Sequence, residues 1–162
     1  MPTPLTATQR YIAPGTTKYY YATSCADITA PLRAEMEAGT DLTKEVAAAD
    51  GWSVAADRVA TPDLGSKFTG RIGGRVNPGD ASINFHASKT TADVRTLLHR
   101  DDTGYVFVLH GGDVPGQTMD VYKVDVSSVS KPTNVDGGEN ARVMVSFSIN
   151  DVAENVTIPA LS

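Results

Sequence analysis

Cysteine and long apolar runs are nearly absent from this sequence of 162 residues. Its one cysteine, Cys25, cannot form an internal disulfide, which is typical of proteins that fold in a reducing compartment. The longest apolar run, about five residues around 106–109, is far shorter than the roughly 20 residues of a membrane-spanning helix. The N-terminus has no apolar segment behind a positive one, so the sequence does not predict a signal peptide. We therefore expect neither a membrane partner nor secretion.

Basic residues are in the minority. The chain has 14 Lys and Arg against 19 Asp and Glu, and its net charge is -5 at pH 7. Tight binding of nucleic acid requires a basic surface that neutralises phosphates, so this balance argues against nucleic acid as a tightly held partner. Hydrophobic residues make up 41% of the chain and charged residues 20%. Together with the length, these values predict one globular domain with a core of its own.

One glycine-rich stretch, TPDLGSKFTGRIGGRV at 61–76, superficially matches a phosphate-binding loop. Gly65 and Gly70 have the spacing of that loop, but Arg71 and Ile72 stand where the motif has lysine and then serine or threonine. The hydroxyl that would bind Mg²⁺ is therefore missing. The alternation within the stretch instead favours a glycine-rich β-strand over 67–75, with three polar residues on one face: Lys67, Thr69 and Arg71.

Signatures of catalysis and metal binding are weak. His-Gly-Gly at 110–112 resembles the oxyanion turn of esterases, but no nucleophile motif follows it, so a glycine-rich hairpin turn is the better interpretation. The three histidines have no zinc-ligand spacing. The tyrosines at 19–21 cannot form one stacking platform, because successive strand residues point to opposite faces. We predict no enzymatic activity, no cofactor and no metal.

Strand periodicity dominates the chain. Alternating or continuously apolar segments predict about seven strands, at 16–22, 52–56, 67–75, 83–87, 104–110, 118–130 and 141–150. Two short helices are predicted, one from Pro31 to Gly39 and one from Thr91 to Arg100. The fold class we expect is mostly β, a β-sandwich or partly closed barrel with one or two short flanking helices. A single domain should span 1–162, with an N-terminal arm at about 1–12 and a C-terminal arm at about 151–162.

Six blocks of the sequence, taken in order, form a recognisable set: APGTTKYYY (13–21), LRAEMEAGTDLTKEV (32–46), TPDLGSKFTGRIGGR (61–75), DVRTLLHRDDTGYVFVLHGGD (93–113), MDVYKVDVSSVSK (119–131) and VSFSINDVAENVTIPA (145–160). Together they resemble the major tail proteins of long-tailed bacteriophages, particularly those that infect actinobacteria. The resemblance runs from about Ile12 to Ala160 and depends on the order and spacing of the blocks.

The resemblance implies a structural protein of the virion, a subunit of the tail tube. In that family six subunits form a ring, rings stack around the tape measure protein, and inner strands join into a barrel through which DNA passes. The implied partners are other copies of the chain, the tape measure protein, the tail terminator and tail-tip proteins, and double-stranded DNA that passes without tight binding. The implied location is the virion tail, after assembly in the cytoplasm of the host bacterium.

The residues alone leave an alternative of another class, a monomeric β-sandwich module that binds carbohydrate or a receptor. Such a module would carry aromatic residues on exposed loops, and the loops at 77–80 and 131–140 contain none. Sizing the purified protein would separate the two hypotheses.

Two groups of residues are candidates for the surfaces of a tube. The lumen or wall should be formed by polar strand residues: Lys67, Thr69, Arg71, Ser82, Asn84, His86, Lys123, Asp125 and Arg142. The turn at 77–80 predicts that the first three pair with the next three, and the strand hairpin 119–149 is the rival candidate. Contacts between subunits should involve apolar residues of the arms: Leu5, Tyr11, Ile12, Val156 and Ile158. If DNA slides through the tube, basic residues on the lumen should be matched by acidic ones.

Overall fold

A computed structural model describes residues 1–161; Ser162, the last residue of the expected domain, lies outside the described residues. The regular elements are β1 (Lys18–Ala22), α1 (Arg33–Glu37), β2 (Thr40–Asp41), β3 (Val46–Asp50), β4 (Val54–Thr61), β5 (Gly70–Pro78), β6 (Ala81–His86), a 3₁₀ turn (Val94–Thr96), β7 (Thr103–Leu109), β8 (Thr118–Ser130) and β9 (Arg142–Thr157). The expectation of a mostly β fold is confirmed.

Seven strands form one antiparallel sheet in the order β2-β1-β7-β8-β9-β6-β3. The two edge strands are joined by only four residues, 42–45, so the chain passes directly from one edge of the sheet to the other. At one end of this crossing the Leu42 N–H donates to the Tyr19 carbonyl (2.9 Å), and at the other the His86 N–H donates to the Glu45 carbonyl (2.9 Å). The sheet therefore curls into a partly closed barrel, one of the two architectures that the sequence predicts. β4 and β5 form a separate two-stranded sheet.

The main core lies inside the curled sheet. It consists of every second residue of the long strands, which is the pattern that the alternation predicts. Its most deeply buried members are Ile83, Phe85, Val106, Val108, Val124, Val126, Val143 and Val145. These side chains are at most 1% exposed, and their burial is the main stabilising contribution to the fold.

A second apolar cluster lies on the outer face of the same sheet, under α1. Met36 of the helix packs there with residues of β7, β8 and the end of β9: Phe107, Leu109, Met119, Val121, Ala153 and Val156. The helix is fixed in place by Glu35, whose carboxylate accepts hydrogen bonds from the N–H groups of Leu32 (2.9 Å) and Ala26 (2.7 Å). These bonds lower the pKa of Glu35. The first predicted helix is thus confirmed, and it covers only one half of the outer face.

The second predicted helix, over 91–100, is wrong. Only a 3₁₀ turn forms, at Val94–Thr96. The reason is Asp93, whose buried carboxylate accepts from the N–H groups of Ser88 (2.7 Å) and Arg95 (3.0 Å) and from the guanidinium of Arg95. These bonds hold the segment in a tight loop and lower the pKa of Asp93. Thr91, the expected cap, has φ 64 and lies in the left-handed region.

The predicted pairing of the glycine-rich strand is also wrong. β5 starts at Gly70 rather than at 67, and it pairs with β4 instead of with β6. β6 pairs with β9 on one side and with β3 on the other. The connection 62–69 is long enough for β4 to fold back on β5 as a hairpin, and both neighbours of β6 come from elsewhere in the chain. Lys67 and Thr69 consequently lie in a connection rather than in a strand.

The C-terminal segment differs from the expected arm. β9 continues to Thr157 and stays paired with β8 through residues 151–157. After this strand the Ile158 N–H donates to the Gln117 carbonyl (2.7 Å), and the Ile158 carbonyl accepts from Gly116 N–H (3.0 Å). The register shifts between Lys123 and Val124 and again between Met119 and Val121, and these two bulges place Ala153 and Val156 in the second cluster. Residues 151–158 are therefore integral to the domain.

Candidate assembly surfaces

Six of the nine residues that the sequence predicts for the lumen or wall share one face of the curled sheet. Because β8, β9 and β6 are adjacent, their outward side chains form one continuous surface, which we call the polar face. Cross-strand partners on it are Lys123 and Asp151, Asp125 and Ser148, Ser82 and Ser146, Asn84 and Met144, and His86 and Arg142. The residues between them point into the core. Ser82, Asn84 and His86 of one candidate surface and the residues of the rival strand hairpin are thus parts of a single surface.

Charges on the polar face are balanced locally. Lys123 lies directly opposite Asp151, and the guanidinium of Arg142 is 4.0 Å from the carboxylate of Glu139. The Asp125 carboxylate accepts hydrogen bonds from the Asn150 amide (2.6 Å) and the Thr103 hydroxyl (2.8 Å). These bonds, led by the one from Asn150, lower the pKa of Asp125. The face presents small polar groups and charges of both signs rather than a patch of one sign.

The remaining three of the nine lie elsewhere. Arg71 belongs to β5, and Lys67 and Thr69 belong to the connection between β4 and β5. We call residues 54–78 the exposed hairpin, because all of them are exposed except Val54 and Gly70, which are partly buried. Large apolar side chains on it face solvent: Val59, Leu64, Phe68, Ile72 and Val76. Two-stranded ribbons are marginal on their own, so this segment is an extension of the domain rather than a part of its core.

The base of the exposed hairpin is firmly attached to the domain. Trp52 packs edge-on against Tyr122, with ring centroids 5.1 Å apart, and against Phe147 at 5.4 Å. Its indole N–H donates to the Ser82 carbonyl (3.2 Å), and its own carbonyl accepts from the Tyr122 hydroxyl (3.2 Å). A Cβ at Gly51 would lie 1.8 Å from the carbonyl oxygen of Asp80, so only glycine fits where these two segments of the backbone cross. The hairpin therefore projects from a rigid base.

The predicted N-terminal arm has no regular structure over residues 1–12. Leu5, Tyr11 and Ile12 are exposed, at 96%, 56% and 75%. The arm ends in a turn in which the Thr16 and Thr17 N–H groups donate to the Ala13 carbonyl. By contrast, Val156 and Ile158 are only 7% and 1% exposed and pack in the second cluster, where they are not available to another subunit.

The most extensive ion-pair network of the described residues ties α1 to the turn between β7 and β8. Arg33 donates to both carboxylate oxygens of Asp113 (2.6 and 2.9 Å) and to Glu37 (2.9 Å). The Tyr20 hydroxyl also donates to Asp113 (3.1 Å). Hydrogen bonding to Arg33 lowers the pKa of Asp113, while burial and the Asp113 charge raise the pKa of Tyr20 to about 12. The geometry is that of a structural clamp, because every polar group in it already has a partner within the chain.

Residues 1–161 contain no group of three or more histidine, cysteine, aspartate or glutamate side chains placed to hold a metal ion. No helix within this range is long and apolar enough to cross a membrane. Cys25 is buried, and burial followed by the charge of Glu35 raises the pKa of its thiol to about 11, so it is not poised as a nucleophile.

A model of one protein family, described as "Phage tail tube protein", matches residues 5–160. The chain belongs to the phage tail tube protein family. The matched range includes the whole curled sheet, the exposed hairpin and most of the arm. The resemblance found in the sequence is therefore confirmed at the level of the family, although an actinobacterial host is not supported. No curated protein matches the sequence.

Two solved structures illustrate what this tail tube family member is similar to. One is the sheath/tube terminator of the extracellular contractile injection system PVC, with a TM-score of 0.61 and 6% identity; the match covers 91% of this chain and 98% of that one. Another is from the baseplate of the anti-feeding prophage AFP, with a TM-score of 0.51 and 12% identity over 94% of this chain and 96% of that one. At these identities the similarity shows a shared fold.

The exposed hairpin is the feature of this tail tube protein that the sequence predictions missed. A signal for it was present in the apolar pattern of its strands. Val59 and Ile72 are cross-strand partners on one side of the ribbon, while Val76 pairs with Ala56 on the other side. A strand that has apolar residues on both faces, with many glycines and arginines between them, cannot bury both faces in the core of its own domain. This pattern therefore indicates a segment whose apolar side chains stay exposed in the monomer.

Proposed function

We propose that this protein is the subunit that builds the tail tube. Copies of the chain form hexameric rings, the rings stack around the tape measure protein, and double-stranded DNA later passes through the bore without tight binding. The tail terminator and tail-tip proteins are the further partners at the two ends. The protein acts structurally, without catalysis or a cofactor, in the virion tail after assembly in the host cytoplasm.

One observation carries the proposal of self-assembly. Of the thirteen large apolar side chains that are exposed among the described residues, nine belong to the arm or to the exposed hairpin. These two segments lack the dense packing of the curled sheet, and an exposed apolar patch on a soluble protein marks a surface that another molecule covers. In a repeating assembly each copy can bury the exposed apolar side chains of the next copy. Both segments are then covered by copies of the same chain.

The polar face supports the second part of the proposal, the passage of DNA. Its two basic residues, Lys123 and Arg142, are offset by Asp151 and Glu139. Repeated around a ring, such a surface has no net positive charge with which to hold a phosphate backbone that carries one charge per about 1.7 Å. We therefore propose that the polar face lines the bore.

Assembly can be tested with purified protein at rising concentration, alone and with the tape measure and tail-tip proteins, by negative-stain electron microscopy. The proposal predicts stacked rings or tubes in the presence of these partners. Protein that stays monomeric with both partners present would contradict it and favour the monomeric binding module. Single rings that never stack would indicate a role at the end of a tube instead of in its wall.

A further inference from the structure

The exposed hairpin differs from the rest of the chain in its charge. Residues 54–78 contain four basic residues (Arg58, Lys67, Arg71 and Arg75) and two acidic ones (Asp57 and Asp63), for a net charge of +2. Since the whole chain has a net charge of -5, the other residues together carry a net charge of -7. A basic projection is thus attached to an acidic domain, and two copies are complementary in charge.

The two faces of the exposed hairpin are chemically different. Residues opposite one another in an antiparallel ladder point to the same side, so the register assigns each residue to a face. One side, which we call the apolar face, has Val59 opposite Ile72, with an Asn77 amide that donates to the Asp57 carboxylate (2.6 Å). The other side, the basic face, has the pairs Arg58 and Gly73, Ala60 and Arg71, and Ala56 and Val76.

The arginines of the basic face have no acidic partner among residues 1–161. Neither Arg58 nor Arg71 lies within 4.0 Å of an acidic group among residues 1–161, whereas Arg33, Arg95 and Arg142 each do. Their cross-strand partners are glycine and alanine, which leave both guanidinium groups unobstructed. A guanidinium donates two parallel hydrogen bonds to a carboxylate, so two arginines without an acidic partner on one face of a ribbon are suited to an acidic protein surface.

We propose that the basic face of the exposed hairpin docks through Arg58 and Arg71 on carboxylates of a second copy of this chain, so that tube assembly depends on salt. This inference rests on the proposed function. It specifies the face that makes the contact and the electrostatic attraction that holds it. A second copy fits better than DNA as the occupant. The basic face also presents Val76, an apolar side chain that a protein surface buries and a phosphate backbone does not, and the charge of -7 on the rest of the chain repels DNA.

The test compares two double variants with the same change in net charge. R58E/R71E reverses the basic face, and K89E/R100E reverses two exposed charges outside the hairpin. Tube formation is measured by sedimentation at rising protein concentration, with the tape measure and tail-tip proteins present, between about 50 and 500 mM NaCl. Thermal melting of each monomer checks that both variants fold, which we expect because all four side chains are exposed.

The wild type should need more protein to assemble as the salt concentration rises. R58E/R71E should raise the assembly concentration about tenfold or more at low salt, because each arginine changes from an attractive to a repulsive contact, and K89E/R100E should stay within about twofold of the wild type. The inference is overturned if wild-type tubes form and R58E/R71E assembles as readily as the control. It is also overturned if R58E/R71E assembles normally but abolishes binding of the monomer to duplex DNA. If the wild type itself never assembles, the proposed function fails, and the inference fails with it.

Discussion

Replacing Ile158 with alanine tests whether the C-terminal segment belongs to the domain or is an arm that reaches other subunits. Its side chain is 1% exposed in the second apolar cluster, and its main chain is bonded to Gly116 and Gln117. Truncation of a buried isoleucine removes apolar contacts and leaves a cavity, at a cost of about 2–5 kcal/mol. We expect I158A to lower the free energy of unfolding by this amount, and to lower Tm by about 5–15 °C in a domain of this size.

The assay is urea unfolding of the monomer followed by circular dichroism, with Leu161→Ala as the matched control. Leu161 is also an apolar residue near the C-terminus, but it is 65% exposed, so its truncation should change the free energy of unfolding by less than about 0.5 kcal/mol. Equal and small effects of the two substitutions would show that the segment is not part of the core. That result would support the prediction of a free C-terminal arm. Assembly contacts would then no longer be confined to the N-terminal arm and the exposed hairpin.

Three further predictions concern the clamp, the sheet and the arm. Asp113→Asn should destabilise the protein by about 1–3 kcal/mol at pH 7. Arg33 lowers the folded-state pKa of Asp113. The stabilisation that the ionised Asp113 provides is therefore complete above the ordinary carboxyl pKa of about 3.9, and it is lost as the pH falls through the lowered folded-state pKa. The difference in free energy of unfolding between variant and wild type, measured by urea unfolding, should therefore become smaller below about pH 4. A difference that does not change with pH would contradict the clamp. Gly104→Ala should cost about 1–3 kcal/mol in the same melts, because its Cβ would lie 2.4 Å from the Tyr21 hydroxyl, whereas Gly138→Ala meets open space and should be nearly neutral; equal effects would refute this. Deletion of the arm should leave Tm within about 2 °C but stop tube formation, and a large loss of Tm would place the arm in the domain.

The strands of the main core could be predicted because each has one continuous apolar face. The predicted bounds of β8, 118–130, are those of the structure, and Val124 and Val126 point to the core as the alternation indicates. The end of β9 was missed for a local reason. The bulge in its pairing at Lys123 and Val124 reverses the alternation after Ile149, and a change of parity in the sequence looks like the end of a strand.

Long-range pairing explains why the polar face was predicted as two rival surfaces. Ser82, Asn84 and His86 lie 56 to 60 residues before Arg142 in the sequence, yet β6 pairs with β9 and brings them together. Periodicity assigns a residue to a face of its own strand but does not give the order of strands in the sheet. For the same reason the sequence offered the wrong partner for the glycine-rich strand, since the turn at 77–80 connects β5 to β6 without pairing them.

A cryo-EM reconstruction of the assembled tube, at a resolution that shows side chains, tests the central claim most directly. Our account predicts hexameric rings in which the polar face lines the bore, with Ser82, Asn84, Lys123 and Asp125 toward the lumen, and in which the exposed hairpin is buried against a neighbouring copy. A polar face on the outside of the tube, or a lumen lined by unpaired lysine and arginine, would contradict the account even if the tube itself formed.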